Sequence, residues 1–130
     1  MTEHSVNKKW YNNAAHENLP GMCQKGILTE IEVIEDLVDE MNKAGQEAAI
    51  TEATYKALYA QKRLMVVANA VTKKSIPDIE MEVDSQVEKE HLAYLIAENK
   101  LMVTREALRA AQSRLDAWRS LAAGYRSAGG

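Results

Sequence analysis

Several residue types are scarce in this 130-residue chain, and each scarcity excludes a class of protein. The single cysteine, Cys23, cannot form an internal disulfide, so we expect a reducing, cytoplasmic location. No run of roughly eighteen apolar residues occurs, so no membrane-spanning segment is expected. The first residues lack the apolar core of a secretory signal peptide.

Patterns for catalysis and metal binding are also missing. The three histidines have no partner at the spacing of metal ligands, and no glycine-rich phosphate loop occurs. The paired carboxylates between residues 30 and 40 have the spacing of a solvated helix face. We therefore predict a protein that is not an enzyme and holds no cofactor or metal.

Helix-forming residues and segregated charges are what the chain does contain. It has no phenylalanine and two prolines but many Ala, Leu, Glu, Lys, Arg and Met residues, a composition typical of long helices and coiled coils. The net charge is only −3, yet the charges form blocks. Residues 30–52 are acidic, 53–77 contain bases and no acid, 78–90 are acidic again, and 100–126 are rich in arginine. Such blocks indicate interaction surfaces.

Heptad spacing predicts a first long helix over residues 27–74. Apolar residues recur every seven positions, and Pro77 is expected to end the helix. Whether this is one helix or two bent near Gly45 stays open. The polar residues 1–25 are predicted to form a flexible arm. The predicted seam residues of this helix are Ile31, Ile34, Val38, Met41 and Tyr55.

A second long helix is predicted over residues 85–126, after a linker at 75–84 and before a tail at 127–130. Ser85 and Glu88 have the spacing of a capping box, and the linker alternates apolar and acidic residues. Trp118 falls on the heptad phase and not on the arginine face, so it is predicted to lie in a core or interface. The predicted seam residues of this helix are Tyr94, Leu101, Leu108, Leu115, Trp118 and Tyr125.

Two long helices with a short connection predict an all-α fold, a long antiparallel helical hairpin. Folding at about residue 79 would place the acidic run 30–52 beside the basic run 105–126, so internal ion pairs are expected there. A lone two-helix hairpin also leaves apolar surface exposed, and self-association would bury it. We therefore expect a helical homo-oligomer.

Three elements of the chain carry a resemblance to a known family. They are the tyrosine-rich basic stretch TYKALYAQKRL (54–64), the acid-led DSQVEKEHLAYL (84–95) and LDAWRS (115–120). Over about residues 50–126 the chain resembles phage recombination mediators of the UvsY type. The resemblance implies a small helical protein that loads a strand-exchange recombinase onto single-stranded DNA displaced from its binding protein. It also implies DNA binding through a basic pair, for which the matching positions are Lys62 and Arg63.

These observations leave more than one function open. The first is an oligomeric single-stranded-DNA-binding accessory protein of phage type, with a recombinase or single-strand-binding protein as possible partner. The second is a non-enzymatic protein-binding module, such as an inhibitor of a host defence or replication protein that acts through its acidic helix. The third is a structural coiled-coil component. The candidate nucleic-acid-binding residues are Lys56, Lys62, Arg63, Lys73 and Lys74.

Overall fold

The computed structural model describes the backbone of residues 2–128 and the side chains of residues 19–128. Its described backbone contains three helices and no strand: α1 (Thr2–Asn69), α2 (Ile76–Gln86) and α3 (Glu88–Ser127). The predicted all-α fold is therefore confirmed. The chain divides into two compact units. Unit 1 comprises residues 1–38 and 107–130, and unit 2 comprises residues 39–106.

In unit 1, the first part of α1 packs antiparallel to the last part of α3. The Trp118 ring lies against the backbone of Gly26, and Glu30, one turn later, pairs with Arg114, one turn earlier. Cys23 and Leu115 are buried in this unit. The helix pairing expected from the heptads therefore holds within unit 1.

Unit 2 contains the rest of α1, all of α2 and the start of α3. Here too α1 runs antiparallel to α3, because Glu47 pairs with Lys100 while Tyr55 stacks on Tyr94. The core of the unit consists of buried valines and an isoleucine from α1, α2 and the residue that joins α2 to α3, which pack against Tyr55, Leu58 and Tyr59. These core residues are Val66, Ile79, Val83 and Val87.

Small residues line the centre of the helix pair in unit 2. Ala44 and Ala97 are almost fully buried, and Thr104 is the one buried polar residue among the described side chains. The Thr104 hydroxyl donates a 2.8 Å hydrogen bond to the Lys100 carbonyl, so burial leaves this group satisfied.

The predicted aperiodic arm over residues 1–25 is wrong in its backbone, because α1 is helical from Thr2 and continues through Pro20 and Gly45. A proline inside a helix costs about 3 kcal/mol relative to alanine. Tertiary packing offsets part of that cost, since Cys23 is buried and Gly26 contacts Trp118. The side chains of residues 1–18 lie outside the described part of the chain.

The predicted boundaries in the middle of the chain also need correction. The first helix ends at Asn69 and not at residue 74, and the predicted linker 75–84 is helix α2. The Ser75 hydroxyl caps α2 by accepting a 3.3 Å hydrogen bond from the Asp78 N–H, and Pro77 occupies the first turn. Proline is compatible with the first turn of a helix, where a backbone N–H has no intrahelical partner, although in a helix interior it interrupts the helix.

Ser85 does not cap α3 as its sequence context predicted. Its hydroxyl donates a 2.8 Å hydrogen bond back to the Glu82 carbonyl within α2. α3 instead follows α2 after a single intervening residue, Val87, whose N–H donates to Val83 and whose carbonyl accepts from His91. α2 and α3 are therefore joined without a loop.

Candidate nucleic-acid interface

Four aromatic rings from α1 and α3 cluster in unit 2. Tyr55 stacks on His91 at a centroid distance of 4.6 Å and on Tyr94 at 5.8 Å, and it meets Tyr59 edge-to-face at 6.0 Å. Tyr55 and Tyr59 are four residues apart on α1, and His91 and Tyr94 are three apart on α3, so each pair shares a helix face. We call these four side chains the ring cluster. In proteins that bind single strands, bases stack on aromatic side chains.

Two cations of α1 lie beside the ring cluster. Lys56 donates a 2.7 Å hydrogen bond to Glu52, and this bond with the neighbouring negative charge raises the pKa of Lys56 above 10.5. Lys56 also lies near the Tyr94 hydroxyl, and Arg63 lies near that of Tyr59. The two cations are seven residues apart, so they share one face of α1.

The tyrosine hydroxyls in this region are shifted toward the neutral form. Partial burial raises the pKa of Tyr59 above 10.0, and the carboxylates of Asp84 and Glu80 raise it further. Partial burial likewise raises the pKa of Tyr94, with added contributions from Glu52 and Glu98. Both phenols therefore stay protonated donors well into the alkaline range.

The structure does not bring the five predicted cations together on one surface. Lys62 is half-buried on the side of α1 that carries Val66, whereas Arg63, about 100° around the helix, is exposed. Lys73 and Lys74 lie beyond the end of α1, in the segment before α2. Consecutive residues of a helix point about 100° apart, and here Lys62 points toward the inner side of α1 whereas Arg63 points toward solvent.

Two of the five cations already have partners within unit 2. Lys56 pairs with Glu52, and Lys74 pairs with Glu82 of α2. Lys62, Arg63 and Lys73 form no salt bridge to a described residue. The basic interval 53–77 is thus partly balanced by α2, which sequence reasoning treated as a linker and did not place beside α1.

The expected pairing of the acidic run 30–52 with the basic run 105–126 is seen in unit 1, whereas in unit 2 the acidic run pairs with Lys100, which precedes that basic run. The Nε of Arg114 donates a 2.8 Å hydrogen bond to Glu30 in unit 1, and Lys100 lies 3.5 Å from Glu47 in unit 2. A group of five carboxylates between these pairs is exposed and forms no salt bridge to a described residue. It consists of Glu32, Glu35, Asp36, Asp39 and Glu40.

Most predicted seam residues lie on the inner sides of the helices. Leu115 is buried, and all the others except Val38 are half-buried. Val38 is 37% exposed, while its neighbour Leu37 is half-buried. The inner face of α1 at this point is therefore displaced by one residue from the predicted heptad phase, and Val38 belongs to the surface.

An open groove of about 540 Å³ runs between α1 and α3 in unit 2. Ala48 supplies a small side chain on the α1 side, and Leu95 and Met102 supply large ones on the α3 side. Glu52, Glu98 and Arg105 contribute charge to its walls. The groove has the volume to admit a side chain of another molecule.

Sequence reasoning did not assign the ring cluster, although a signal for it was present. Tyr55 and Tyr94 both fall on the predicted seam, one in each helix of the predicted antiparallel pair, but the predicted fold at about residue 79 did not place them opposite each other. His91 stands three residues before Tyr94 and thus on the same face. Its stacking on Tyr55 depends on the register between α1 and α3, which the heptads alone do not specify.

Metal and membrane sites were also sought in the described part of the chain. Among the described residues, no group of three or more histidine, cysteine or carboxylate side chains is arranged to hold a metal ion. None of the helices, within the described residues, has a stretch long and apolar enough to cross a membrane.

Comparison with known proteins adds no family to these observations. No protein-family model, no curated protein and no solved structure matches the chain significantly. The UvsY-type resemblance therefore stays a prediction based on residues 50–126.

Proposed function

We propose that the protein is a non-enzymatic, oligomeric helical accessory protein that binds single-stranded DNA, in the manner of a recombination or replication mediator of phage type. One observation carries this proposal: Lys56 and Arg63 lie beside the ring cluster in unit 2. Cations that hold phosphates next to rings that stack on bases are the two components of a sequence-tolerant single-strand site. Double-stranded DNA offers no unstacked bases to such rings.

The cations without internal partners supply the electrostatic part of the proposed site. Arg63 and Lys73 are exposed, and Lys62 is half-buried, with no salt bridge from any of the three to a described residue. Lys56 and Lys74 can contact DNA phosphates only after their ion pairs with Glu52 and Glu82 break. Few cations per chain make a weak site, so oligomerisation would be needed to repeat them along a strand.

The test is fluorescence anisotropy of a labelled single-stranded oligonucleotide at several salt concentrations. Release of counterions gives the logarithm of the association constant a slope of about −0.7 per phosphate contact for a single strand. The double variant Lys62→Ala/Arg63→Ala should therefore make the slope shallower by about 1.4 per engaged chain. Helicity should not change, because neither residue caps a helix.

A matched control removes the same charge elsewhere. Lys43 and Lys89 are exposed and lie outside the proposed site, so Lys43→Ala/Lys89→Ala should leave the slope unchanged. Equal effects of the two double variants, or no binding at low salt, would contradict the DNA-binding proposal.

A second candidate function rests on the five exposed carboxylates between Glu32 and Glu40. A helix face with this charge can occupy a basic groove on a partner protein in place of nucleic acid. A protein of this kind should not bind oligonucleotides even at low salt. The triple variant Glu32→Gln/Glu35→Gln/Asp36→Asn should no longer bind the partner protein. Retention of a captured partner by that triple variant would exclude the acidic face. A structural coiled-coil component should show neither DNA binding nor this loss.

A further inference from the structure

The large exposed hydrophobic side chains are concentrated in unit 2. Of fifteen such residues among the described side chains, twelve lie in unit 2, and unit 1 has only Leu28, Val38 and Leu121. Eight of the twelve lie on the outer sides of α1 and α3. Apolar faces of this extent mark interaction sites.

The outer face of α1 has the spacing of a coiled-coil seam. Its six apolar residues follow one another at intervals of three and four, all are exposed, and they extend about 27 Å along the helix. We call this the alanine face, because its centre consists of small side chains. Its residues are Ile50, Ala53, Ala57, Ala60, Leu64 and Val67.

The outer face of α3 has large side chains, and its residues follow one another at intervals of one and three. Five of its members are large and apolar, between 46% and 60% exposed, and the sixth is Asn99 near the centre. We call this the large-residue face. Its residues are Leu92, Leu95, Ile96, Asn99, Met102 and Val103.

We infer that the alanine face of one copy of this chain binds the large-residue face of a second copy. The first reason is size. Facing surfaces pack without voids when large residues oppose small ones. Two alanine faces together would leave gaps, and two large-residue faces would crowd leucine against leucine and methionine.

The second reason is charge. Lys56 and Arg63 border the alanine face, each one position before a seam residue, and Glu98 borders the large-residue face in the same way. We place α1 of one copy antiparallel to α3 of the second copy, with Lys56 of the first beside Glu98 of the second. In this register, Arg63 of the first copy lies beside His91 of the second, and Ala49 of the first lies beside Arg105 of the second. No like charges meet in this register, and the alanines oppose the stretch from Leu92 to Met102.

The third reason is coverage. A symmetric contact through one face would leave the other face exposed on every copy. A contact between two different faces uses both, and each copy then binds one neighbour on each side. Such heterologous contacts close into a ring or continue as a filament. Arg63 lies at the edge of the contact, so its repetition from copy to copy would form the row of cations that the proposed single-strand site requires.

The test measures mass by light scattering on the full chain and on variants of each face. Wild type should exceed the mass of a dimer, whereas Ala57→Glu and Met102→Glu should each be monomeric. An equimolar mixture of the two variants retains one intact pair of faces, so it should form a species of twice the protomer mass. Thr29→Glu, an exposed change in the unit 1 part of α1 and outside the alanine face, should keep the wild-type mass.

Other outcomes overturn the inference. A monomeric wild type, wild-type mass in either face variant, or a mixture that stays monomeric would each exclude a contact between the two faces. Both positions are exposed, and far-UV circular dichroism should show unchanged helicity. If either variant lost helicity, Leu64→Glu and Ile96→Glu would take its place. The inference rests on the oligomeric part of the proposed function, but the mass is measured without DNA, so the oligonucleotide titration decides DNA binding separately.

Discussion

The two units of this chain are built from the same pair of helices and bury their apolar residues differently. In unit 1, large aromatic and aliphatic side chains point inward, with the Trp118 ring against Gly26, and few large hydrophobic residues are exposed among the described side chains. In unit 2, small residues such as Ala44, Ala48 and Ala97 are buried between α1 and α3, and many large hydrophobic residues are exposed. Among the described side chains, unit 2 therefore leaves more large apolar side chains exposed than unit 1 does.

α2 supplies two of the four residues in the buried core cluster of unit 2, Ile79 and Val83. Val83 of α2 is fully buried among Val66, Ile79 and Val87, whereas Met81 on the same helix is 71% exposed. This contrast within one short helix shows that α2 has an inner and an outer side. α2 therefore contributes buried side chains from its inner side to the core of unit 2.

The largest effect is expected from the core of unit 2. Val83→Ala removes two methyl groups from a fully buried site and should lower the free energy of unfolding by about 2–3 kcal/mol. Met81→Ala on the same helix should change it by no more than about 0.5 kcal/mol, because the side chain is mostly exposed. Urea unfolding followed by circular dichroism measures both. Similar effects of the two variants would mean that α2 does not pack through its inner side.

An intermediate effect is expected from the contact between Gly26 and Trp118 in unit 1. A Cβ added at Gly26 would lie 2.3–2.8 Å from three atoms of the indole ring, so the ring would have to move. Overpacking of this kind should make Gly26→Ala destabilising by about 1–2 kcal/mol, despite the better helix propensity of alanine. Thermal unfolding of the purified variant gives the value.

Gly21 provides the matched control for this prediction. It lies on the same helix, and an added Cβ would meet nothing within 4 Å. Gly21→Ala should therefore stabilise the protein by up to about 1 kcal/mol, the propensity difference alone. If both substitutions were stabilising, the close packing of unit 1 would be disproved.

The smallest effect is expected from pH and acts on unit 2. The pKa values of Tyr59 and Tyr94 are raised, chiefly by partial burial, so above pH 10 the unfolded chain loses protons that the folded chain keeps. Stability from this source is complete below pH 10 and decreases as pH rises through the raised values. The urea midpoint should thus decrease between pH 9 and 11. Tyr59→Phe/Tyr94→Phe should show a shallower decrease, and an identical decrease would contradict this assignment.

Local sequence signals predicted the helical class and the inner faces but not every boundary. Heptad spacing identified Tyr55, Tyr94 and Leu115 on the inner sides because apolar periodicity reports directly on burial. Pro77 was interpreted as a helix stop, yet it lies in the first turn of α2. Proline is compatible with both positions, and only the cap from Ser75 and the burial of Ile79 distinguish them.

The candidate site was likewise predictable from the sequence only in part. Its cations and tyrosines were recognisable from TYKALYAQKRL, whereas the partners of Lys56 and Lys74 were not assigned. The Glu82 partner of Lys74 comes from a segment interpreted as a linker, and the stacking of His91 on Tyr55 depends on the register of α1 against α3. The local periodicity of apolar residues gives little information about contacts between elements that are distant in sequence.

The sequence by itself determined that this protein is helical. Its composition favours helices, and its heptad spacing matches the pattern of burial between packed helices. Tertiary structure alone decided that α1 continues through Pro20, that α2 is a helix, and that Lys74 pairs with Glu82 of α2. The physical reason is that packing around Cys23, Gly26 and Val83 outweighs local propensities, which differ by only a few kcal/mol.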